Sequence, residues 1–276
     1  MPSRSRKAFR HGAAWKEEID NQMENNIKKL YGLTADYHTH TRYSHGKIYA
    51  HGKGTVLENV ASASAKGLRE LAITDHGPGH KFYGLKMSKL PAMRADIEVA
   101  MRKFPNVKVI LGVEANIVNT ANGLDVSKDE FDRFDIVNAG YHYGLPRGYM
   151  TTNYIYWHAG LPAGSTAQLR NKNTDMALRA LYENDIFLLT HPGDKGPFDM
   201  RALCKACEET DTLMEISTRH THLTAEEIRI AANYDVKFAI SSDAHVPDKV
   251  GNYIAGVERA IEAGLDLERI VNIEKR

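Results

Sequence analysis

Two histidines separated by one residue, His38 and His40, form the first pattern in the chain that could bind a metal ion. They follow a short apolar run, and residues two apart in a β-strand point to the same side, so both rings can reach one ion. A second pair with this spacing, Asp243 and His245, follows another apolar run. Imidazole nitrogens and carboxylate oxygens are ligands that zinc, manganese and iron favour. Neither pair is specific by itself, because such side chains are also found as ordinary surface or core residues.

Further potential ligands follow four other apolar runs, one after each: His76, Glu114, His142 and His191. Glu114 has two carboxylate oxygens and could bridge neighbouring ions. If these side chains were unrelated and buried, each would need a hydrogen-bonding partner of its own. Six run ends that share the same chemistry instead predict one shared metal cluster.

Seven short apolar runs alternate with longer stretches of helical character, which predicts a parallel sheet buried on both faces. The runs cover 33–37, 70–74, 107–113, 134–141, 185–190, 212–217 and 236–242. Several helices are predicted to open with a capping box, because Thr55, Ser127 and Thr224 are each followed three residues later by Glu. A closed barrel gathers the ends of all its strands at one face, whereas an open sheet would spread the ligands along a line. The ligand distribution therefore favours an α/β barrel.

The first 34 residues differ from the rest. They begin with a basic patch and continue with an apolar stripe at helical spacing: Trp15, Ile19, Met23, Ile27 and Leu30. We predict a basic tail and an amphipathic N-terminal helix over 1–34, followed by a single barrel domain over 35–276.

The bulk composition excludes several classes of protein. The formal net charge is +1, so no global field favours nucleic acid or membrane. No apolar run approaches the length of a membrane span, and the N-terminus lacks the apolar core of a signal peptide, so we expect a cytoplasmic protein. The only cysteines, Cys204 and Cys207, lie in a predicted helix interior. This context favours two helical thiols over a redox or zinc site.

These motifs resemble those of the polymerase-and-histidinol-phosphatase (PHP) family. HTHTRYSHG, TDHGPGH, GVEAN, GYH, THPG and SSDAH occur in the family's order, and the resemblance spans about residues 33–252. It implies a distorted (β/α)7 barrel of the PHP type with two or three divalent ions, such as zinc, manganese or iron. The resemblance further implies that the ions share ligands: His38, His40, Glu114 and Asp243 at one, Glu114, His142 and His191 at a second, and a loop histidine with His76 and His245 at a third.

The loop histidine has two candidates, because the pattern of a small residue, His, Gly and Lys occurs twice. The first copy contains His45 and the second contains His51. By its distance from His40, His45 fits the family better, and we predict that it is the ligand.

The resemblance and the cluster together predict a phosphoesterase that hydrolyses a small-molecule phosphomonoester, histidinol phosphate being one candidate, through metal-activated hydroxide at a trinuclear site. Arg219 follows the one run that lacks an obvious ligand and is a candidate partner for the phosphate. His80 and His220 are candidates to contact the substrate or to protonate the leaving alkoxide. Weaker candidates for these roles also lie in loops: Arg42, Lys47, Lys81, Arg147 and His222.

Other functions remain open from the sequence. The same metal cluster would serve a 3′-5′ exonuclease or another nucleic-acid phosphoesterase, although the near-zero net charge makes nucleic acid an unlikely partner. A regulatory domain that has lost its metals would have lost ligands, and this chain retains nine. A different hydrolase, such as a lactonase on a similar barrel, is a further alternative. The oligomeric state is left open.

Overall fold

The computed structural model describes residues 21–46, 51–145 and 147–276. Within them a parallel sheet has seven strands that are neighbours in chain order. Each strand lies within or overlaps one of the predicted apolar runs, so the prediction of seven parallel strands is confirmed. The strands are β2 (Ala35–Asp36), β3 (Glu70–Ile73), β4 (Lys108–Asn116), β5 (Ile136–Gly140), β6 (Leu188–Leu189), β7 (Leu213–Ser217) and β8 (Phe238–Ser241).

Helices follow the strands and pack around the sheet. Thr55 and Thr224 accept hydrogen bonds from the backbone at the starts of two helices, with Glu58 and Glu227 completing the predicted capping boxes. Glu130 likewise accepts from the Ser127 amide, but the element that follows is a 3₁₀-helix over Lys128–Arg133. The helices are α2 (Val56–Ala65), α3 (Leu90–Lys103), α4 (Met150–Ala159), α5 (Ala163–Glu183), α6 (Met200–Glu209), α7 (Ala225–Ala231) and α8 (Ile254–Ala263).

The sheet curls into a nearly closed barrel whose first and last strands, β2 and β8, meet at a seam. Beyond the two strands, Thr39 forms a parallel bridge with Ala244. Between them, the buried Asn272 side chain donates to the carbonyls of Ala35 and Ile240, at 2.8 Å and 2.7 Å. The seam is therefore joined by side chains as well as by backbone, and the predicted barrel of seven parallel strands is confirmed.

The N-terminal segment lies beside the seam. A first helix, α1, covers 21–30, and the short strand β1 (Tyr31–Leu33) then pairs antiparallel with β9 (Ile273–Lys275) near the other end of the chain. Of the predicted apolar stripe, Ile27 is buried, whereas Met23 and Leu30 are exposed. Trp15, Ile19 and the basic patch lie outside the described residues. The predicted division at residue 34 stays a prediction.

The two cysteines are buried on α6 and are not joined in a disulfide. Burial raises the pKa of the Cys204 thiol to about 12, and thiols of this kind are inert. This agrees with the expectation of two helical thiols. No helix among the described residues is both long and apolar enough to cross a membrane.

Candidate metal centre

Glu114, in β4, lies at the centre of a buried group of histidines at the carboxyl ends of the strands. Its Oε1 lies 3.2 Å from Nε2 of His38 and 3.0 Å from Nε2 of His191. Its Oε2 lies 2.9 Å from Nδ1 of His76. His142 approaches Oε1 to 3.3 Å. One carboxylate therefore faces histidines on both of its oxygens, the arrangement expected of a ligand that bridges ions.

Asp243 organises a second part of the same cluster. Its Oδ1 lies 3.0 Å from Nε2 of His40 and 3.6 Å from Nε2 of His38. His245 follows two residues later, and its ring centroid lies 4.3 Å from that of His40. Within the described residues, five groups of three side chains have potential ligand atoms within 4.8 Å of one another: His38/His40/Asp243, His38/Glu114/His191, His76/Glu114/His142, His40/His76/His245 and His191/His220/Asp243.

Several buried polar atoms in this cluster lack a hydrogen-bonding partner. They are Nδ1 of His40, both ring nitrogens of His76, Oε2 of Glu114 and Oδ1 of Asp243. Burying a polar atom without a partner costs about 1–3 kcal/mol, more for a charged group. Oε2 of Glu114 and Nδ1 of His76 lie 2.9 Å apart without hydrogen-bond geometry, as expected if both face a cation rather than each other. The donor set therefore fits divalent metal ions.

The pKa values of two histidines and of both carboxylates suit metal binding, which requires neutral histidines and ionised carboxylates. Burial lowers the pKa of His76 and of His245 to about 3. Burial acts to raise the pKa of Glu114, but the charges of His142 and His38 outweigh it and hold that pKa well below its usual value. The pKa of Asp243 is likewise held well below its usual value, against its burial, by His38 and His245.

A second carboxylate orients one of the candidate ligands from behind. Glu215, in β7, accepts a 2.7 Å hydrogen bond from Nδ1 of His38 through Oε1, and Oε2 accepts one from the backbone N–H of His191. When His38 is neutral, its proton is on Nδ1 and the lone pair of Nε2 faces the cluster. Burial acts to lower the pKa of His38, but the charges of Glu114 and Glu215 outweigh it and hold that pKa well above its usual value, so an ion that binds Nε2 must displace a proton. The sequence analysis missed Glu215, because it lies inside an apolar run rather than at its end. A charged residue inside such an apolar run was the signal that the sequence offered.

His142 is oriented by a similar relay. Its Nδ1 lies 2.8 Å from Oδ1 of Asn116, whose amide nitrogen donates to Asp125 at 2.6 Å. The amide orientation fixes Oδ1 as the acceptor, so His142 presents Nε2 to Glu114. Burial raises the pKa of Asp125 to about 6. The sequence analysis also missed Asn116 and Asp125.

The backbone conformation near the cluster allows the candidate ligands to lie close together. A Cβ atom on Gly140 would lie 2.8 Å from Oε1 of Glu114 and 2.2 Å from Oγ1 of Thr190, so only glycine leaves room there. His191 and Asp243 both have positive φ angles, +28° and +45°. For residues with a Cβ this conformation costs about 1–3 kcal/mol and concentrates at functional sites.

The structure places His45 on the surface and His51 in the cluster, the reverse of our prediction. Nε2 of His51 lies 2.6 Å from Nε2 of His245, and its ring stacks on Tyr83 with centroids 3.9 Å apart. A Cβ on Gly52 would lie 2.0 Å from the Thr41 carbonyl oxygen, so this glycine lets the loop pack tightly where His51 turns inward. The distance from His40 along the chain was a poor guide, because it does not determine which of the two histidines turns toward the cluster.

The three predicted catalytic residues differ in their surroundings. Nε2 of His80 donates to the Tyr143 carbonyl at 2.6 Å, while Nδ1 faces two backbone amides, so both ring nitrogens are engaged. Arg219 is 40% exposed and contacts Nδ1 of His245, with Nη1 3.7 Å from Oδ1 of Asp243. His220 lies between two carboxylates, 2.9 Å from Oδ2 of Asp243 and 3.1 Å from Oδ2 of Asp194. Arg219 and His220 are therefore at the cluster, whereas His80 fastens a loop beside it.

The weaker candidates lie farther from the centre. His222 pairs with Glu227 at 3.1 Å, and Arg42 lies 3.8 Å from Asp96. Lys81 and Arg147 are exposed, and Lys47 lies outside the described residues. The segment that follows His142 is rich in aromatic residues and contains α4. Tyr154 and Trp157 on this helix are about half exposed.

The fold and the site together define the class of protein, an α/β barrel with histidines and carboxylates gathered at the ends of its strands. A model of a protein family then identifies the family. The PHP domain model matches residues 36–247, and the chain belongs to that family. It is 28% identical over 255 residues to a probable phosphatase of Proteus mirabilis, covering 87% of this chain and 90% of that protein. A probable phosphatase of Serratia proteamaculans is 26% identical over 259 residues, with 87% and 90% covered.

The fold is similar to that of a solved structure. That structure is a histidinol phosphate phosphatase from Lactococcus lactis in complex with zinc, L-histidinol and phosphate, with a TM-score of 0.56 and 14% sequence identity. The likeness covers 85% of this chain and 95% of that one. At this identity the comparison supports the fold alone.

Proposed function

We propose that this protein is a metal-dependent phosphatase that hydrolyses a small-molecule phosphomonoester, with histidinol phosphate one candidate. The observation that carries the proposal is the group of buried, unpartnered ligand atoms around Glu114 and Asp243. The names of the similar proteins, which are probable phosphatases, agree with it. The sequence identity is too low to transfer a substrate.

Three ions would be held by ligands that the cluster brings together, with His51 in the position predicted for His45. By the family resemblance, the proposed groups are His38, His40, Glu114 and Asp243; Glu114, His142 and His191; and His51, His76 and His245. Bound divalent ions would lower the pKa of water and neutralise charge on the phosphoryl oxygens.

The side chains at the rim would complete the site. Arg219 has a planar guanidinium that suits phosphate oxygens and lies against two of the candidate ligands. His220 can hold a proton at Nε2, since Asp194 faces Nδ1 on the other side of the ring. Against its burial, hydrogen bonds to Asp194 and Asp243 raise the pKa of His220 to about 9. In the proposal Arg219 binds the phosphoryl group, His220 donates a proton or a hydrogen bond, and His80 has a structural role.

The activity test uses the full chain, stripped with a chelator and reloaded with zinc or manganese. Substrates are p-nitrophenyl phosphate, L-histidinol phosphate, sugar phosphates, nucleoside monophosphates and a labelled oligonucleotide. We expect monoester hydrolysis that the chelator abolishes and the metal restores. Shortening of the oligonucleotide with all monoesters untouched would contradict the proposal and favour a nuclease.

The choice of loop ligand is tested by a matched pair of variants, His51→Ala and His45→Ala. We expect His51→Ala to lose about one ion per chain and to lower kcat/KM about a hundredfold, because a ligand to one of the ions is removed. His45→Ala should keep both properties, since its side chain is exposed. Native mass spectrometry and p-nitrophenyl phosphate hydrolysis measure the two effects. Loss of metal in His45→Ala alone would restore our first assignment.

A further inference from the structure

A cavity of about 310 Å³ lies directly beside the candidate metal centre. Asp243 and His245, two of the candidate ligands, form part of its wall. The wall continues away from the cluster through the loop after β7 and the loop after β8, where it includes Thr218, Arg219, Lys249 and Asn252. A substrate whose phosphoryl group lay at the cluster would have this space next to it.

The charges in the cavity wall are mainly positive. Among the described residues that line it, Asp243 is the only acidic one, and it already contacts His40 and His220. Arg219 and Lys249 supply the cationic side chains. The neighbour of Lys249, Asp248, is not part of the wall. Cations that line a concave surface attract anions more strongly than the net charge of a protein would suggest.

Lys249 is neither a candidate metal ligand nor one of the rim side chains Arg219 and His220. It is exposed, lies in the 3₁₀-helix Pro247–Lys249, and forms no ion pair with any residue in the described ranges. Arg219 differs, because it contacts His245 and approaches Asp243, and so lies near the place of the hydrolysed group. Lys249 therefore offers a positive charge to something beyond that group.

The cavity also opens toward a larger space. Thr218 and Asn252 line both the cavity and a groove that runs along the start of α8, past Tyr253 and Lys66. The part of a substrate that carries no reacting phosphate can extend in that direction.

We propose that this cavity is a second anion subsite. It binds a phosphate or carboxylate group of the substrate other than the phosphoryl group that is hydrolysed, and Lys249 selects small molecules that carry both. This inference rests on the proposed phosphatase function and adds the class of substrate to it.

Matched pairs of substrates test the subsite and distinguish the two kinds of anion. 3-Phosphoglycerate against glycerol 3-phosphate tests a carboxylate, and fructose 1,6-bisphosphate against fructose 6-phosphate tests a phosphate. p-Nitrophenyl phosphate serves as a reference with one anionic group. We expect kcat/KM of the metal-loaded protein to favour the doubly anionic member of at least one pair by up to about fivefold, because an exposed ion pair contributes up to about 1 kcal/mol. Adding 0.5 M salt should reduce this preference.

Lys249→Met should remove most of the preference by raising KM for the doubly anionic substrate about fivefold, with at most about a twofold change for p-nitrophenyl phosphate. Lys249→Glu should reverse the preference. Lys205→Met, which replaces an exposed lysine on α6, is the control and should keep it. Lys249 is exposed, so its substitution should not impair folding.

Two outcomes would overturn the subsite alone: hydrolysis without preference in either pair, or a preference that survives in both Lys249 variants. If the metal-loaded protein hydrolyses neither p-nitrophenyl phosphate nor any of the four esters, the proposed phosphatase function fails and the subsite fails with it.

Discussion

Polar side chains are buried at the seam between β2 and β8 and at the mouth, where the strands end. The two regions differ in the hydrogen-bonding partners of these side chains. At the seam, both oxygens of Asp36 accept hydrogen bonds, including 2.8 Å from the Gly251 amide and 3.1 Å from the Ser242 amide. The amide of Asn272 is satisfied on both its nitrogen and its oxygen. Asp36 and Asn272 are thus satisfied by partners within the protein.

At the mouth, buried atoms of Glu114, Asp243 and His76 have no hydrogen-bonding partner. These side chains are as deeply buried as Asp36 and Asn272. Asp36 and Asn272 at the seam are therefore buried like the side chains at the mouth, but they differ from them in having partners. Asp36 and Asn272 therefore contribute to the fold by themselves, whereas the side chains at the mouth have the unpartnered atoms that the proposed metal ions would bind.

The largest expected effect comes from Glu114→Gln at the mouth. The substitution keeps the shape of the side chain and removes the charge that faces the histidines on both sides. We expect loss of at least one ion and a decrease in kcat/KM of about a thousandfold, because metal-bound charge stabilisation is worth several kcal/mol. Metal analysis and p-nitrophenyl phosphate hydrolysis measure these effects. Full metal content with normal activity would show that the unpartnered carboxylate is not a ligand.

At the seam the expected effect is on stability instead. Asp36→Ala leaves buried donors of Ser242 and Gly251 without an acceptor. We expect the free energy of unfolding of the metal-free protein to decrease by about 3 kcal/mol, since each unsatisfied group costs about 1–3 kcal/mol. Urea unfolding measures the change, and the folded variant should still bind its metals. Unchanged stability combined with loss of metal would abolish the distinction between the two regions.

The smallest effect is expected from a substitution of Glu215. It touches no candidate ion site directly but holds the ring of His38 at 2.7 Å. We expect Glu215→Gln to weaken metal binding or activity about tenfold, because partners behind a ligand contribute about 10–100-fold. Titration of the chelator-treated, metal-free protein with zinc, followed by calorimetry, gives the affinity for zinc. A variant that binds zinc as tightly as the wild type would assign Glu215 to the fold alone.

The sequence was sufficient for the parts of this protein that follow from local pattern. Apolar runs that alternate with helical stretches predict a buried parallel sheet, because strands covered on both faces have no polar side. A ligand at the end of a run must lie at the face where strands end, so His76, His142 and His191 could be placed before their distances were known. Glu114 could be expected to bridge for the same reason.

Only the tertiary structure decided features that depend on residues far apart in the chain. Glu215 lies 177 residues from His38, and no spacing predicts that their side chains meet. His51 rather than His45 lies in the cluster because of the path of a loop and its close contact with Thr41, which the local sequence does not specify. The role proposed for Lys249 likewise depends on the tertiary structure, because it follows from the cavity beside that residue. Periodicity determines which face a residue occupies, whereas packing in three dimensions determines which residues it meets there.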